Sequence, residues 1–345
     1  MDGTRTSDFD YVLPKRLIAQ RPLKHRDHSR LMVLDKLSGS IEHRRFFDLP
    51  DFLNEGDVLV FNDSRVIPAR LFAEKEWTKR RVEILLLRRL RKGVWKALVK
   101  PGKKMRPGTK FYFGFNLPEP ILGTVLEEEL DGVKVITVED EDQLIKTATL
   151  AIPPYIQDVV SDMERYQTVY SRIEGSIAAP TAGLHFTNLL LENLRSAGVT
   201  TVFVTLHVGW DSFRPIRTEN PMDHEMHSEY WEISPCSAEL LNKAKSEGRR
   251  VVSVGTTAVR LLENAAVKQG GPPLVAGSGW ADLFISPGYK FKMVDNLITN
   301  FHLPKSTLLM LTSALTGRET MLKAYKEAVS LKYRFYSFGD AMLIL

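Results

Sequence analysis

Residues 65 to 152 interrupt a chain that otherwise alternates between helix and strand patterns, and this interruption limits the fold more than any other feature. Within it lie short strand-forming runs: Arg81 to Leu87, Val94 to Val99, Lys110 to Phe113, Ile121 to Leu126 and Val133 to Val138. Asp131-Gly132 predicts a hairpin, because both residues tolerate positive φ. Pro101-Gly102 and Pro107-Gly108 mark two further turns. Strands this short and this closely spaced predict a compact all-β domain, either a small barrel or a sandwich.

The flanking sequence reads differently. After Ile152-Pro153-Pro154-Tyr155, Thr187 caps a predicted helix over Asn188 to Ser196 that Gly198 closes, and the β-branched run Val199 to Thr205 follows as a buried strand. A helix over Ser237 to Ser246 leads into the strand Arg250 to Val254, and Gly255-Thr256-Thr257 opens another helix, Ala258 to Ala266. Such alternation predicts a mixed or parallel sheet covered by helices. Leu31 to Leu34 and Val58 to Phe61 are strand-like and belong most simply to the same sheet. The expected organisation is therefore an α/β main domain of residues 1–64 and 152–345, with residues 65–151 inserted as a β domain.

Charge is concentrated in the insertion. The chain carries a net +5, yet residues 79 to 110 alone hold thirteen Lys or Arg and one acid, Glu83. This is either a solvated basic face or an electrostatic footprint for a nucleic-acid backbone. The single cysteine, Cys236, excludes an internal disulfide and a Cys-rich metal cluster. No signal peptide is read in the polar first ten residues, and the apolar run Leu308 to Leu315 is too short for a membrane span. The cytoplasm is the expected compartment.

Chemistry in an open α/β sheet gathers at the carboxyl ends of its strands, and several segments put polar residues there. Val204 to Gly209 runs a strand into His207, which reads equally as a structural or a functional residue. Val254-Gly255-Thr256-Thr257 meets a helix N-terminus, whose N–H groups suit a carboxylate or phosphate, or is a plain βα turn. Ala178 to Phe186 is a small-residue loop ending in His185 and Phe186, and Asn300-Phe301-His302-Leu303-Pro304 precedes an apolar helix, Thr307 to Leu315. Asn62-Asp63-Ser64-Arg65 is either an Asx turn or a polar cluster in an inter-domain cleft. His224 and His227 could ligate a metal, but no further ligand stands at zinc spacing. No dinucleotide-binding glycine motif, Walker loop or nucleophile elbow is present. From the residues alone the substrate stays open.

Taken together, the segments resemble the S-adenosylmethionine:tRNA ribosyltransferase-isomerase family of queuosine biosynthesis. The likeness runs from Asp8-Phe9-Asp10-Tyr11 to Phe338-Gly339-Asp340-Ala341-Met342. It includes Arg26 to Leu31, Asn62 to Arg70, Glu164 to Tyr170, Ala178 to Phe186, Thr205 to Gly209, Val254 to Thr257, Thr299 to Pro304 and Tyr333-Arg334-Phe335. The resemblance implies an α/β domain with a mixed sheet carrying an inserted closed antiparallel β-barrel. It also implies a metal-free reaction with no prosthetic group, in which S-adenosylmethionine is the co-substrate. The ribosyl part of S-adenosylmethionine passes to 7-aminomethyl-7-deazaguanine (preQ1) at the tRNA wobble position, adenine and methionine leave, and the sugar becomes the epoxycyclopentane of epoxyqueuosine.

On this resemblance His207 is the first candidate for a general base at the carbon beside the sulfonium, with His185 and His302 behind it. Substrate contacts are expected from Asp63, Ser64, Arg65, Thr181, Gly183, Gly209, Thr256, Thr257, Arg260 and Asn300. Lys79, Arg80, Arg81, Lys100, Lys103, Lys104 and Arg106 are expected to contact tRNA phosphates around the anticodon loop, and the chain to act as a monomer away from membranes. Two departures stand out. Trp210-Asp211-Ser212-Phe213 replaces an expected Gly-Thr-Phe ending, placing Asp211 where a glycine would leave room for a ligand. Thr78-Lys79-Arg80-Arg81 replaces a Gly-rich turn. The competing readings are an RNA-binding module without catalysis, and a metal-assisted hydrolase built on His224 and His227.

Overall fold

The computed structural model describes residues 5–114, 118–129, 132–153, 155–156, 158, 162–209, 216, 218–226 and 228–345. The chain forms two compact units: Met1–Arg65 with Pro154–Ile173 and Ala179–Leu345, and Val66–Pro153 with Glu174–Ala178. It opens with β1 (Arg30–Leu34), β2 (Ile41–Arg45) and β3 (Val58–Asn62), and β4 (Ser64–Val66) follows. The smaller unit holds β5 (Arg70–Lys75), β6 (Arg81–Arg91), β7 (Val94–Lys100), β8 (Lys110–Phe113), β9 (Ile121–Glu128), β10 (Val133–Val138) and α1 (Glu141–Thr147). After β11 (Ile173–Ser176), which pairs with β4, come α2 (Asn188–Ser196), β12 (Thr200–Leu206), β13 (Glu229–Ile233) and α3 (Pro235–Ser246). The chain ends through β14 (Val251–Val254), α4 (Thr256–Lys268), β15 (Gly277–Ala281), β16 (Asn296–Asn300), α5 (Thr307–Thr316), α6 (Arg318–Ser330) and β17 (Ala341–Ile344).

In the larger unit, nine strands form one mixed sheet in the order β15-β13-β12-β3-β14-β16-β17-β1-β2. Its centre, β12-β3-β14-β16, is parallel throughout. β3 and β14 are buried at every position, as apolar runs covered on both faces require. The edge strand β2 is instead Ile-Glu-His-Arg-Arg and largely exposed, and charge of this kind discourages pairing with another chain. On one face Phe46, Phe61 and Phe186 meet edge-on, and Leu190, Leu191 and Leu194 of α2 pack beside them over Leu59, Val252 and Ile298. Helix α2 starts where Thr187 accepts the Leu190 N–H (3.1 Å), and α5 starts where Ser306 accepts that of Leu309 (3.2 Å).

The smaller unit is a closed barrel in the order β10-β7-β6-β5-β8-β9, antiparallel at each pairing for which a register is defined. Closure leaves no free sheet edge and decides between barrel and sandwich. The interval is not all-β, however. Asp140 accepts the Gln143 N–H (2.9 Å) and acids fill the first turn, so α1 forms after the last barrel strand. Its buried Glu141 holds Arg89 of β6 at 2.7 Å. At the expected Asp131-Gly132 turn, Gly132 has φ +77°, whereas Asp131 lies outside the described residues.

Candidate active site

The four parallel strands deliver the polar segments to one edge of the sheet. β3 ends at Asn62, β12 at Leu206 before His207, β14 at Val254 before Gly255, and β16 at Asn300 before Phe301 and His302. A cavity of ≈ 100 Å³ opens there. Its lining includes Tyr155, Pro180, Thr181, Val208, Gly255, Thr256, Thr257, Arg260, Asn300, His302, Tyr336 and Ser337. Among the sequence candidates, Thr181, Thr256, Thr257, Arg260, Asn300 and His302 thus share one wall-to-wall site.

Gly255 shapes one wall. Its φ of +90° is a conformation that side chains resist, and as the residue before α4 it supplies no side-chain cap. The N–H groups of the first turn, at Thr256 and Thr257, are therefore not taken by a capping oxygen. Arg260, one turn along, is buried and already neutralised. Its Nη1 lies 2.5 Å from Glu229 Oε2, and its Nη2 donates to the Ala281 carbonyl (3.2 Å). Glu229 Oε1 accepts the N–H of Gly209 (2.9 Å), so that glycine's backbone donor is occupied. The sequence reading missed Glu229, whose only signal is a carboxylate inside the strand run Glu229–Ile233.

The opposite wall is a hydrogen-bonded chain. Thr181 Oγ1 donates to Asn300 Oδ1 (2.9 Å), Asn300 Nδ2 donates to His185 Nε2 (3.0 Å), and His185 Nδ1 donates to Ser29 Oγ (2.7 Å). This order assigns the His185 proton to Nδ1. Both ring nitrogens are engaged inside the protein, so His185 orients Asn300 and does not line this cavity. His302 does line it, with Nε2 2.8 Å from Thr299 Oγ1. Burial, reinforced by the charges of Arg165 and Arg334, pushes His185 down to about 3, and burial alone brings His302 to about 3.

These two rings make stability depend on pH. Each folded pKa of about 3 lies below the ordinary 6.5, so between those values the unfolded chain binds a proton that the folded chain refuses. Their stabilisation is complete above about pH 6.5 and is lost as pH falls towards 3. The slope is about 1.4 kcal/mol per pH unit for each ring, hence about 2 kcal/mol each by pH 5. Urea midpoints measured from pH 7.5 to 5 should fall accordingly. A flat profile over that range would show that the rings are not held neutral in the fold.

His207 sits differently. It follows β12, stacks on Tyr230 (5.8 Å between centroids, 17°) and precedes the cavity-lining Val208. Its buried Nδ1 has no hydrogen-bond partner among the described residues. Burial lowers its pKa, while the nearby carboxylates of Asp63 and Glu232 act in the opposite direction. Asp63 is buried, accepts from Thr205 Oγ1 (2.7 Å) and pairs with Arg172 (2.9 Å). It lines a second cavity of ≈ 240 Å³ together with Thr205 and Glu232. The Ser64 N–H donates to Asn62 Oδ1 (3.1 Å) in an Asx turn, and Arg65 is held by Ser171 (3.0 Å) and Glu164.

Gly183 serves packing. A Cβ there would lie 1.9 Å from the Tyr170 hydroxyl. Tyr155 and Tyr336, which stack at 4.5 Å in the cavity wall, were not singled out from sequence. Tyr336 adopts φ +69°, a strained value for a side-chain-bearing residue, and its buried hydroxyl is without a partner among the described residues. Asp211 and His227 lie outside the described residues. Among those described, no group of three or more His, Cys, Asp or Glu could hold a metal ion.

In the barrel unit the basic run divides. Arg89, Lys92 and Lys96 are paired with Glu141, Asp142 and Glu129, and Arg81 lies 3.5 Å from Glu74. Lys79, Arg80, Lys100, Lys103, Lys104 and Arg106 are exposed. The buried Met105 anchors the loop that carries Lys103, Lys104 and Arg106.

Known proteins resemble this chain over nearly its whole length. The family model described as a queuosine biosynthesis protein matches residues 6–344. The S-adenosylmethionine:tRNA ribosyltransferase-isomerase of Symbiobacterium thermophilum is 53% identical over 345 residues, covering 99% of this chain and 100% of that protein. The enzyme of the same name from Desulfitobacterium hafniense is 51% identical over 345 residues, with the same coverage. The crystal structure of S-adenosylmethionine tRNA ribosyltransferase from Thermotoga maritima superposes with a TM-score of 0.57 at 39% identity, covering 98% of this chain and 100% of that one.

Proposed function

The chain belongs to the queuosine biosynthesis family of S-adenosylmethionine:tRNA ribosyltransferase-isomerases, and from that membership we propose how its residues divide the reaction. The enzyme is a transferase that moves the ribosyl part of S-adenosylmethionine onto tRNA and isomerises it. The acceptor is the aminomethyl group of preQ1 at the wobble position, and the product is epoxyqueuosine. S-adenosylmethionine is consumed as a co-substrate, and no prosthetic group takes part. The chain works as a monomer in the cytoplasm. Among the described residues, no helix is long and apolar enough to cross a membrane.

The observation that carries the assignment of roles is the cavity at the carboxyl edge of the parallel strands. The methionine carboxylate docks on the N–H groups of Thr256 and Thr257 at the uncapped start of α4, where the helix dipole favours an anion. Arg260 shapes that wall while Glu229 balances its charge. Thr181 and Asn300 hydrogen-bond the ribose, with His185 fixing the Asn300 amide. His302, tied through Nε2 to Thr299, presents a neutral ring to the ligand. His207 is the base that takes a proton from the carbon next to the sulfonium, and Asp63 keeps its pKa from falling further. Exposed Lys79, Arg80, Lys100, Lys103, Lys104 and Arg106 hold tRNA phosphates, and the target base leaves its stack to react, which a loop allows more readily than a duplex.

The test is to mix the purified protein with S-adenosylmethionine and an anticodon stem-loop carrying preQ1. Stoichiometric adenine, with a matching mass gain on the RNA, is the expected result. Tight RNA binding without adenine release would overturn the catalytic reading and leave a binding module.

A further inference from the structure

Trp77 is 89% exposed at the tip of the turn joining β5 to β6 in the barrel unit. An indole is the largest apolar surface a side chain can leave in water, and among the described residues almost nothing covers this one. The turn beneath it is pinned. The Lys79 N–H donates to the Lys75 carbonyl (3.0 Å), the Lys75 N–H to the Arg80 carbonyl (3.0 Å), and the Glu76 N–H to Lys110 (3.1 Å). Lys79 is held at φ +51°.

Positive charge surrounds the tip. Lys75 Nζ donates to the Lys104 carbonyl (2.6 Å), which brings the 101–109 loop against the base of the turn. Burial first, and then the charges of Lys104 and Arg80, hold the Lys75 ammonium below its usual pKa, so these cations converge. Lys79 Nζ lies 6.0 Å from the centre of the Tyr112 ring, and the Tyr112 hydroxyl donates to Glu76, the nearest acid on the turn (3.1 Å). An exposed aromatic among cations matches a polyanion that carries π faces, because phosphates meet the charge and a base meets the ring. A protein partner would need an apolar rim around the indole, whereas Thr78, Lys79 and Arg80 follow it.

We propose that Trp77 is a stacking platform for an unpaired base of the RNA substrate, set within the cationic cluster of Lys75, Lys79, Arg80 and Lys104. The inference rests on the reading of the barrel as the RNA-binding unit. A pinned turn loses little conformational freedom on binding, so most of the stacking free energy is retained.

The experiment compares the full chain with Trp77→Ala, Trp77→Phe and Lys103→Ala/Lys104→Ala, using an unmodified tRNA transcript titrated over a range of salt. Trp77→Ala should weaken binding on the order of ten- to a hundredfold, the loss of one base–aromatic stack. Its log–log salt slope should stay unchanged, because no phosphate contact is removed. Trp77→Phe should retain most of the affinity but lose the part of the tryptophan quenching that tRNA causes in the parent chain. The lysine variant should do the opposite, flattening the salt slope. If Trp77→Ala binds like the parent while the lysine variant flattens the slope, the stacking proposal fails and the patch reading survives. If neither variant alters binding or slope, the barrel is not the RNA-binding unit and both readings fall.

Discussion

Replacing Glu229 with alanine is expected to destabilise the protein by about 3–5 kcal/mol, the range for removing one partner of a buried ion pair. The side chains of Glu229 and Arg260 are 1% and 5% exposed, and their closest atoms are 2.5 Å apart. Deleting the carboxylate strands a guanidinium on the inner side of α4 and takes away the acceptor of the Gly209 N–H. The guanidinium keeps its bond to the Ala281 carbonyl but loses its counter-charge, so the desolvated charge has to be met by water entering the wall. The double variant Glu229→Ala/Arg260→Met should regain much of the loss, because it removes the charge together with its counter-charge. Urea midpoints at an unchanged denaturant slope measure both effects. A single variant within about 1 kcal/mol of the parent would mean that the pair is solvated in the folded protein, since surface pairs contribute about that little. The same pairing explains why the substrate carboxylate is assigned to the α4 N-terminus: the Arg260 charge is already balanced.

How much of this was legible in sequence depended on whether the signal was local. The parallel centre was readable because β3, β12 and β14 are apolar or β-branched runs, and the loops that follow them hold the polar residues. α2 was readable to the residue, since Thr187 caps it and Gly198 follows with φ +82°. α6 was not, because it starts after Gly317 with no side-chain cap. β15 contains two glycines that argue against a strand, yet a Cβ on Gly279 would lie 3.0 Å from the Trp231 ring of neighbouring β13. The glycine is there for that close packing, which no local pattern reports. In the candidate site, Thr181, Thr256, Thr257, Asn300 and His302 stood out because each follows a strand or precedes a helix. Glu229 and Tyr336 did not, since each acquires its role from residues distant in sequence. The basic run overstated its patch for the same reason. Glu129, Glu141 and Asp142, all beyond it in sequence, neutralise three of its cations.

Replacing His207 with alanine is expected to lower turnover by roughly 10²- to 10⁴-fold, the usual worth of a positioned general base. Binding of S-adenosylmethionine should persist, because the cavity wall assigned to it is built from Thr181, Thr256, Thr257, Asn300 and His302, and so should that of tRNA, whose phosphates are assigned to the exposed cations of the barrel. The choice of His207 over the other two rings is electrostatic. His302 and His185, at about 3, are neutral but too weakly basic to draw a proton efficiently near pH 7. His207 is also lowered by burial, but the carboxylates of Asp63 and Glu232 oppose that lowering, and no carboxylate does so for the other two rings. A base must be unprotonated to act, so the parent rate should fall on acidification, with the fall centred below pH 6.5 because burial lowers this group. Asp63→Asn removes one of the two supporting charges and should move that limb to still lower pH. In His207→Ala the residual rate should lose the limb altogether. His302→Ala, by contrast, should raise KM and leave the limb in place. Near-parent turnover in His207→Ala, with the acid limb intact, would remove His207 from the reaction and transfer the proton abstraction to a group that lines the cavity itself.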